Sequence, residues 1–195
     1  AYLLNCIYTR KLRHNCEKSN LNIQVTVKKN LVLLGMMGAG KTSIGKIVAK
    51  KQCLEFIDTD SNIEKSCKME ISKIFKEKGE KFFREEEEKE VLKTLKQNNC
   101  VIALGGGAFL NKTVRNAILK NDISVWLDVD LKILNKRVKW NKKRPLLYED
   151  GNKEKINKLY MERKKIYKLA NHRINCENLN KEKVADKIIT YYEKY

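Results

Sequence analysis

Four apolar residues, Leu31-Val32-Leu33-Leu34, run directly into Gly35-Met36-Met37-Gly38-Ala39-Gly40-Lys41-Thr42, and an amphipathic stretch begins at once. The spacing G-x-x-x-x-G-K-[ST] between a strand and a helix is a phosphate cradle. Its physical demand is strict: glycines let backbone N–H groups curl around an anion, and the helix N-terminus adds about half a unit of positive charge. In such a loop Gly38, Ala39, Gly40, Lys41, Thr42 and Ser43 form the nucleotide-binding set. Lys41 reaches the β- and γ-phosphates, and the Thr42 hydroxyl ligates Mg²⁺.

The rest of the chain agrees with the α/β setting that this loop requires. Short apolar runs alternate with longer amphipathic stretches, the signature of βαβ units and a mostly parallel sheet. Strands are expected at 31–34, 55–57, 101–104, 124–128 and 172–176. Helices are expected at 41–52, 60–67, 70–78, 80–97, 111–119, 130–139, 153–170 and 181–194. At 195 residues the length fits one domain with a small appendage. No apolar run approaches the roughly 20 residues a bilayer needs, so a membrane-spanning chain is excluded. The six cysteines include no C-x-x-C pair, which reads as a reduced, cytoplasmic protein with inert thiols.

A formal net charge of +18 would by itself suggest nucleic acid or an anionic membrane. Lys outnumbers Arg 34 to 8, however, and the lysines are scattered over every helical stretch. Scattered lysine reads as a solvated surface, and no specific nucleic-acid or membrane partner is expected. Where Lys is the default cation, an Arg marks a place that needs a planar fork. Residues 1–29 are basic, lack persistent periodicity and lack an apolar signal region. They are expected to be a disordered extension, with an organellar transit peptide as the alternative. Residues 30–195 form the expected catalytic unit.

Three further segments carry chemistry. Strand two ends at Asp58-Thr59-Asp60, two carboxylates beside the cradle at the C-terminal edge of the sheet. One can hold a hydrated metal while the other meets a substrate hydroxyl, a reading that the cradle favours over the alternative of a pair capping the next helix. In Phe83-Arg84-Glu85-Glu86-Glu87, Glu87 can hold Arg84 by an i,i+3 pair. Glu85, Glu86 and Glu88 read as a solvated face. Val101-Ile102-Ala103-Leu104 ends in Gly105-Gly106-Gly107, where three bare residues suit close approach to a ligand. Arg137, Arg144 and Arg163 follow. Arg144 lies in the segment 140–152, read as a lid that can close onto the transferring phosphate, and Arg163 is a candidate second fork for an acceptor carboxylate.

Together the Gly40-Lys41-Thr42 cradle, the Asp58-Thr59-Asp60 triplet, Phe83-Arg84-x-x-Glu87, Gly105-Gly106-Gly107 and Arg144-Pro145-Leu146-Leu147 resemble, in order and spacing over residues 30 to 194, the shikimate kinase family. The resemblance implies ATP-dependent phosphorylation of the 3-hydroxyl of shikimate. It also implies a five-stranded parallel sheet in order 2-3-1-4-5 with a lid and an acceptor-binding helical subdomain. Its site residues carry over as Lys41 at the terminal phosphates, Thr42 on Mg²⁺, Asp58 on the metal through water, and Asp60 as candidate base. Arg84 and Arg163 match the clamp on the shikimate carboxylate, with Glu87 orienting Arg84 and Gly105, Gly106 and Gly107 lining the acceptor site. Arg144 matches the lid arginine, and Arg137 one lying against the nucleotide base. A monomer is expected. The rival readings are another small-molecule kinase of this architecture, such as a gluconate or nucleotide kinase, and a binding module that has lost catalysis.

Overall fold

The computed structural model describes residues 28–139 and 153–195. The expected extension, apart from its last two residues, and the expected lid with Arg144 lie outside the described residues.

Five strands form one parallel sheet in the order β2-β3-β1-β4-β5, with β1 at Leu31–Leu34, β2 at Glu55–Asp58, β3 at Cys100–Ala103, β4 at Ile123–Asp128 and β5 at His172–Asn175. The order is the expected one, and each strand lies within one residue of its expected bounds. β1, β3 and β4 are buried at every position. That explains why they read as unbroken apolar runs instead of alternating ones, since helices cover both faces of a parallel sheet. The register pairs Leu33 with Ala103, Leu34 with Trp126, and Asp58 with Ala103. It therefore brings the cradle, the Asp58 triplet and the glycine run to the same edge.

Seven helices connect and flank the strands among the described residues: α1 (Lys41–Gln52), α2 (Thr59–Cys67), α3 (Ile71–Thr94), α4 (Lys112–Asn121), α5 (Leu131–Lys139), α6 (Lys153–Tyr167) and α7 (Lys181–Tyr192). The expected break between 78 and 80 is real in conformation, although the hydrogen-bonded helix runs through it. Gly79 sits at φ 81° and ψ 168°, far outside helical values, so α3 is two helices joined at a kink. The second half stops at Thr94, three residues short of the expectation. Asn99 turns left-handed at φ 60°, and its carbonyl accepts from Glu55 N, which leads the chain into β3. Likewise α6 stops at Tyr167 and tapers into short turn bonds such as Ala170 N to Tyr167 O. A 3-10 turn at Ala108–Leu110, absent from the expectation, buries Phe109 completely.

The core is a large cluster spanning both faces of the sheet and a separate small one of Ile63, Ile71, Ile74 and Phe83. The small cluster joins α2 to α3 and makes them a subdomain beside the sheet. Cys67, Cys100 and Cys176 are free thiols, but Cys53 is disulfide-bonded, which corrects the expectation of uniformly reduced cysteines. Cys53 lies half-buried at the left-handed C-terminal cap of α1, and its burial does not set it apart from the free Cys67 and Cys176. No helix among the described residues is long and apolar enough to cross a membrane.

At the edge opposite the site, buried Asn30 ties three elements together. Its side chain donates to Gln97 O at 2.7 Å and accepts from Cys100 N at 3.1 Å, while its own N–H donates to Asp122 Oδ1 at 3.3 Å. Burial raises the Asp122 carboxyl above its ordinary value, against the lowering effect of the Asn30 bond. A raised carboxyl means that the folded state holds its proton more tightly, so this group costs stability once pH rises above its ordinary value of 3.8. Asp122→Asn keeps the Oδ1 acceptor and removes the buried charge. We expect the variant to have a higher urea midpoint than the wild type at pH 7, with the gap closing as pH falls through the carboxyl's folded value. A gap that does not vary with pH would contradict this.

Candidate active site

The cradle follows from the order of its glycines. A Cβ on Gly35 would lie 2.8 Å from Leu127 O, so only glycine lets the loop leave β1 alongside β4. Ala39 N donates to Met36 O at 3.1 Å and closes the turn. Gly40 then opens α1 in the left-handed region, at φ 94°, without a side-chain cap, and the first turn of α1 holds no acidic residue. The positive end of the helix is thus left for an external anion. Lys41 Nζ donates to Gly35 O at 2.8 Å and Met36 O at 3.0 Å, so the ammonium lies across the mouth of the loop. Ser43 is exposed on the first turn. Arg137 reaches over from α5 to donate to Gly38 O at 3.0 Å.

Asp58 unites the two readings left open by its sequence. Oδ1 accepts from Ser61 N at 3.2 Å and caps α2, while Oδ2 accepts from the Thr42 hydroxyl at 2.7 Å. A hydroxyl and a carboxylate side by side at a phosphate loop are a hard-oxygen donor pair, which fits Mg²⁺. That ion keeps most of its waters and takes few protein ligands. No group of three His, Cys, Asp or Glu side chains suited to a metal occurs among the described residues.

Around the glycine run four charged side chains converge. A Cβ on Gly105 would lie 2.5 Å from both Asp60 Oδ1 and Glu87 Oε1. One on Gly106 would lie 3.1 Å from Arg163 Nη1, and one on Gly107 would overlap the Arg84 guanidinium. Asp60 arrives on the first turn of α2, Arg84 and Glu87 on the second half of α3, and Arg163 on α6. Glu87 and Arg163 are buried, at 3% and 6% exposure, in keeping with charges whose positions are fixed by their surroundings. Arg84 Nη1 donates to Glu87 Oε2 at 2.6 Å, the expected i,i+3 pair. Burial works against the Arg84 charge, but Glu87 and Glu80 outweigh it and hold its proton above the ordinary value.

Several partners were not apparent in the sequence. Glu80 Oε1 accepts from Arg84 Nε at 3.2 Å and Nη2 at 3.0 Å, one helical turn before it, a pair not singled out from the sequence although both residues fall in the expected helix 80–97. Glu88, read as solvated, accepts from Asn111 Nδ2 at 2.7 Å and so ties α3 to the start of α4. Thr59, between the two aspartates, is fully buried; its hydroxyl donates to Ala103 O at 3.3 Å and accepts from Gly105 N at 3.1 Å. That one hydroxyl spans the strand end and the first glycine.

A parallel sheet in this order, with the phosphate loop after its central strand β1 and two carboxylates at the end of β2 and the start of α2, defines a P-loop kinase of the nucleoside-monophosphate-kinase type. A deoxyadenosine kinase from M. mycoides shares this fold at TM-score 0.57 and 20% identity. The sequence profile of the shikimate kinase family matches residues 37–193, and the chain belongs to the shikimate kinase family. It is 44% identical to the shikimate kinase of Bartonella henselae over 165 residues, 85% of this chain and 79% of that one. To that of Sulfurihydrogenibium it is 41% identical over 162 residues, 83% of this chain and 96% of that one. A shikimate kinase from Acinetobacter baumannii, solved in complex with shikimate, superimposes with TM-score 0.82 at 30% identity and covers 86% of this chain and 94% of that chain.

Thr59→Val conserves shape but leaves the buried Gly105 N–H without its acceptor, at a cost of about 1 to 3 kcal/mol. We expect a urea midpoint lowered accordingly, and recovery of most of the loss in Thr59→Ser. A Val variant as stable as the wild type would show that the bridge contributes nothing.

Proposed function

We propose that the chain transfers the γ-phosphoryl group of ATP to the 3-hydroxyl of shikimate, giving ADP and shikimate 3-phosphate in aromatic amino-acid biosynthesis. The observation that carries the reading is the meeting of Asp60 and Glu87 at Gly105 with Arg163 at Gly106 and Arg84 at Gly107. Shikimate has one carboxylate and three hydroxyls. Two guanidinium forks and one carboxylate around bare backbone match those groups. Charge-assisted hydrogen bonds of this kind contribute about 1.5 to 3 kcal/mol each. The Acinetobacter relative solved with shikimate supports the same acceptor here.

In the mechanism, the cradle N–H groups and Lys41 hold the terminal phosphates, with Arg137 beside the loop on the side of the nucleotide base. Thr42 would hold Mg²⁺ directly and Asp58 through water, and the bound ion supplies neutralisation of charge on the phosphates. Arg84, oriented by Glu87, and Arg163 take the acceptor carboxylate, which turns the reacting hydroxyl toward Asp60. Asp60 positions that hydroxyl and receives its proton as the oxygen bonds to the γ-phosphorus and the bond to the ADP oxygen breaks. Arg144, in the segment between α5 and α6, closes on the transferring group. Catalysis of this type is positioning and charge stabilisation more than covalent chemistry. The reading takes residues 30–195 as one catalytic unit acting as a cytoplasmic monomer.

A coupled ADP-release assay with Mg²⁺ and ATP, comparing shikimate, gluconate, CMP, AMP and no acceptor, tests the function. Turnover is expected with shikimate alone, and Asp60→Asn should abolish it. ATP binding without shikimate-dependent turnover would overturn the acceptor assignment.

Kinetics of arginine variants test the roles. Arg84→Ala should raise KM for shikimate by one to two orders of magnitude, roughly what one lost charge-assisted bond costs, with KM for ATP little changed. Arg144→Ala should lower kcat by about 10³. An unchanged shikimate KM in the first, or a kcat within about threefold of wild type in the second, would remove that residue from the mechanism.

A further inference from the structure

Arg163 does not stand alone on its helix face. Tyr160, Arg163 and Tyr167 occupy positions i, i+3 and i+7 of α6, one stripe of the helix. All three are buried, at 6%, 6% and 1% exposure. Each phenol is hydrogen-bonded to the sheet edge that carries the site. Tyr160 Oη donates to Asp128 Oδ1 at 2.9 Å, and Tyr167 Oη donates to Gly106 O at 2.5 Å.

Both anchors are themselves fixed. Asp128 ends β4, and its other oxygen accepts from Arg173 of β5 through Nε at 2.8 Å and Nη2 at 2.6 Å. The Tyr167 ring packs against Trp126, with centroids 6.0 Å apart, and the Arg173 guanidinium lies 5.2 Å from the centroid of that Trp126 ring. The phenol of Tyr160 is pushed up to about 12 by burial and then by the Asp128 carboxylate, so it remains a donor throughout the working pH range. The Tyr167 bond also sets a peptide plane. In a trans peptide the N–H points opposite to the C=O, so holding the Gly106 carbonyl toward α6 aims the Gly107 N–H away from α6.

We infer that Tyr160 and Tyr167 are positioning residues that mount the Arg163 fork from both sides, with Tyr167 also fixing the orientation of the Gly106–Gly107 peptide. The inference rests on the proposed role of Arg163 at the acceptor carboxylate. On this account the two hydroxyls set affinity for the acceptor and have little bearing on the nucleotide.

The test is steady-state kinetics of the full chain for Tyr160→Phe, Tyr167→Phe, the double variant and Arg163→Ala, with a thermal melt of each. Each single Phe variant keeps its ring and should raise KM for shikimate about five- to twentyfold, with KM for ATP within about twofold and kcat within about threefold. The double variant should exceed either single one. Isothermal titration of shikimate well below each melting temperature keeps the comparison on folded protein. If Arg163→Ala weakens shikimate strongly while both Phe variants leave its KM within twofold, the mount is wrong even if they melt earlier. If Arg163→Ala leaves shikimate KM unchanged, the acceptor role of Arg163 fails and the mount falls with it.

Discussion

The site depends on three positions where the chain carries no side chain. At Gly105, Gly106 and Gly107 two carboxylates and two guanidinium groups close to within contact distance of the backbone, and an ordinary Cβ would meet one of them at each step. Opposite charges brought this close in a partly buried setting are costly to desolvate unless each is hydrogen-bonded. Among the described bonds, Arg84 is held by Glu80 and Glu87, and the glycine run by Thr59 and Tyr167. What remains is a polar space walled by fixed charges. Such a wall can reject an acceptor lacking its carboxylate far more strongly than an apolar pocket could.

The sheet makes the meeting geometrically possible. Parallel strands paired in register end on one edge, so the phosphate loop after β1, the aspartates after β2 and the glycines after β3 become neighbours although some 70 residues separate first from last. α2 and α3 form their own small apolar cluster beside that edge. The kink at Gly79 lets the second half of α3 start afresh, with Arg84 and Glu87 on the face turned to the glycines. Asp60, Arg84 and Glu87 thus ride on the small α2–α3 unit, while the cradle, the glycine run and Arg163 rest on the large core.

Much of this was legible in the sequence, for a physical reason. Strands buried on both faces, such as Leu31–Leu34, leave an unbroken apolar signature, and the cradle is a local motif whose glycines and lysine are contiguous. Asp60, Arg84, Glu87 and Arg163 could be nominated because each stood in a short recognisable pattern. Tertiary partners were not legible. Glu80, Thr59 and Tyr160 carried no assignment from the sequence. Thr59 and Tyr160 act through contacts 46 and 32 residues away, which no local pattern encodes, whereas Glu80 pairs with Arg84 at a helical i,i+4 spacing that was open to reading. The cysteines erred in the same way, since spacing alone gave no reason to distinguish Cys53 from the rest.

Gly107 offers the most direct test of this account, because its backbone, at φ −101° and ψ −21°, lies where alanine fits without strain. Only the approach of Arg84 forbids a methyl group there. Titration of shikimate and of ATP separately into Gly107→Ala should show acceptor affinity reduced by at least about tenfold and ATP affinity unchanged. Shikimate bound as tightly by the alanine variant as by the wild type would mean that the bare backbone at the end of β3 does not define the acceptor site.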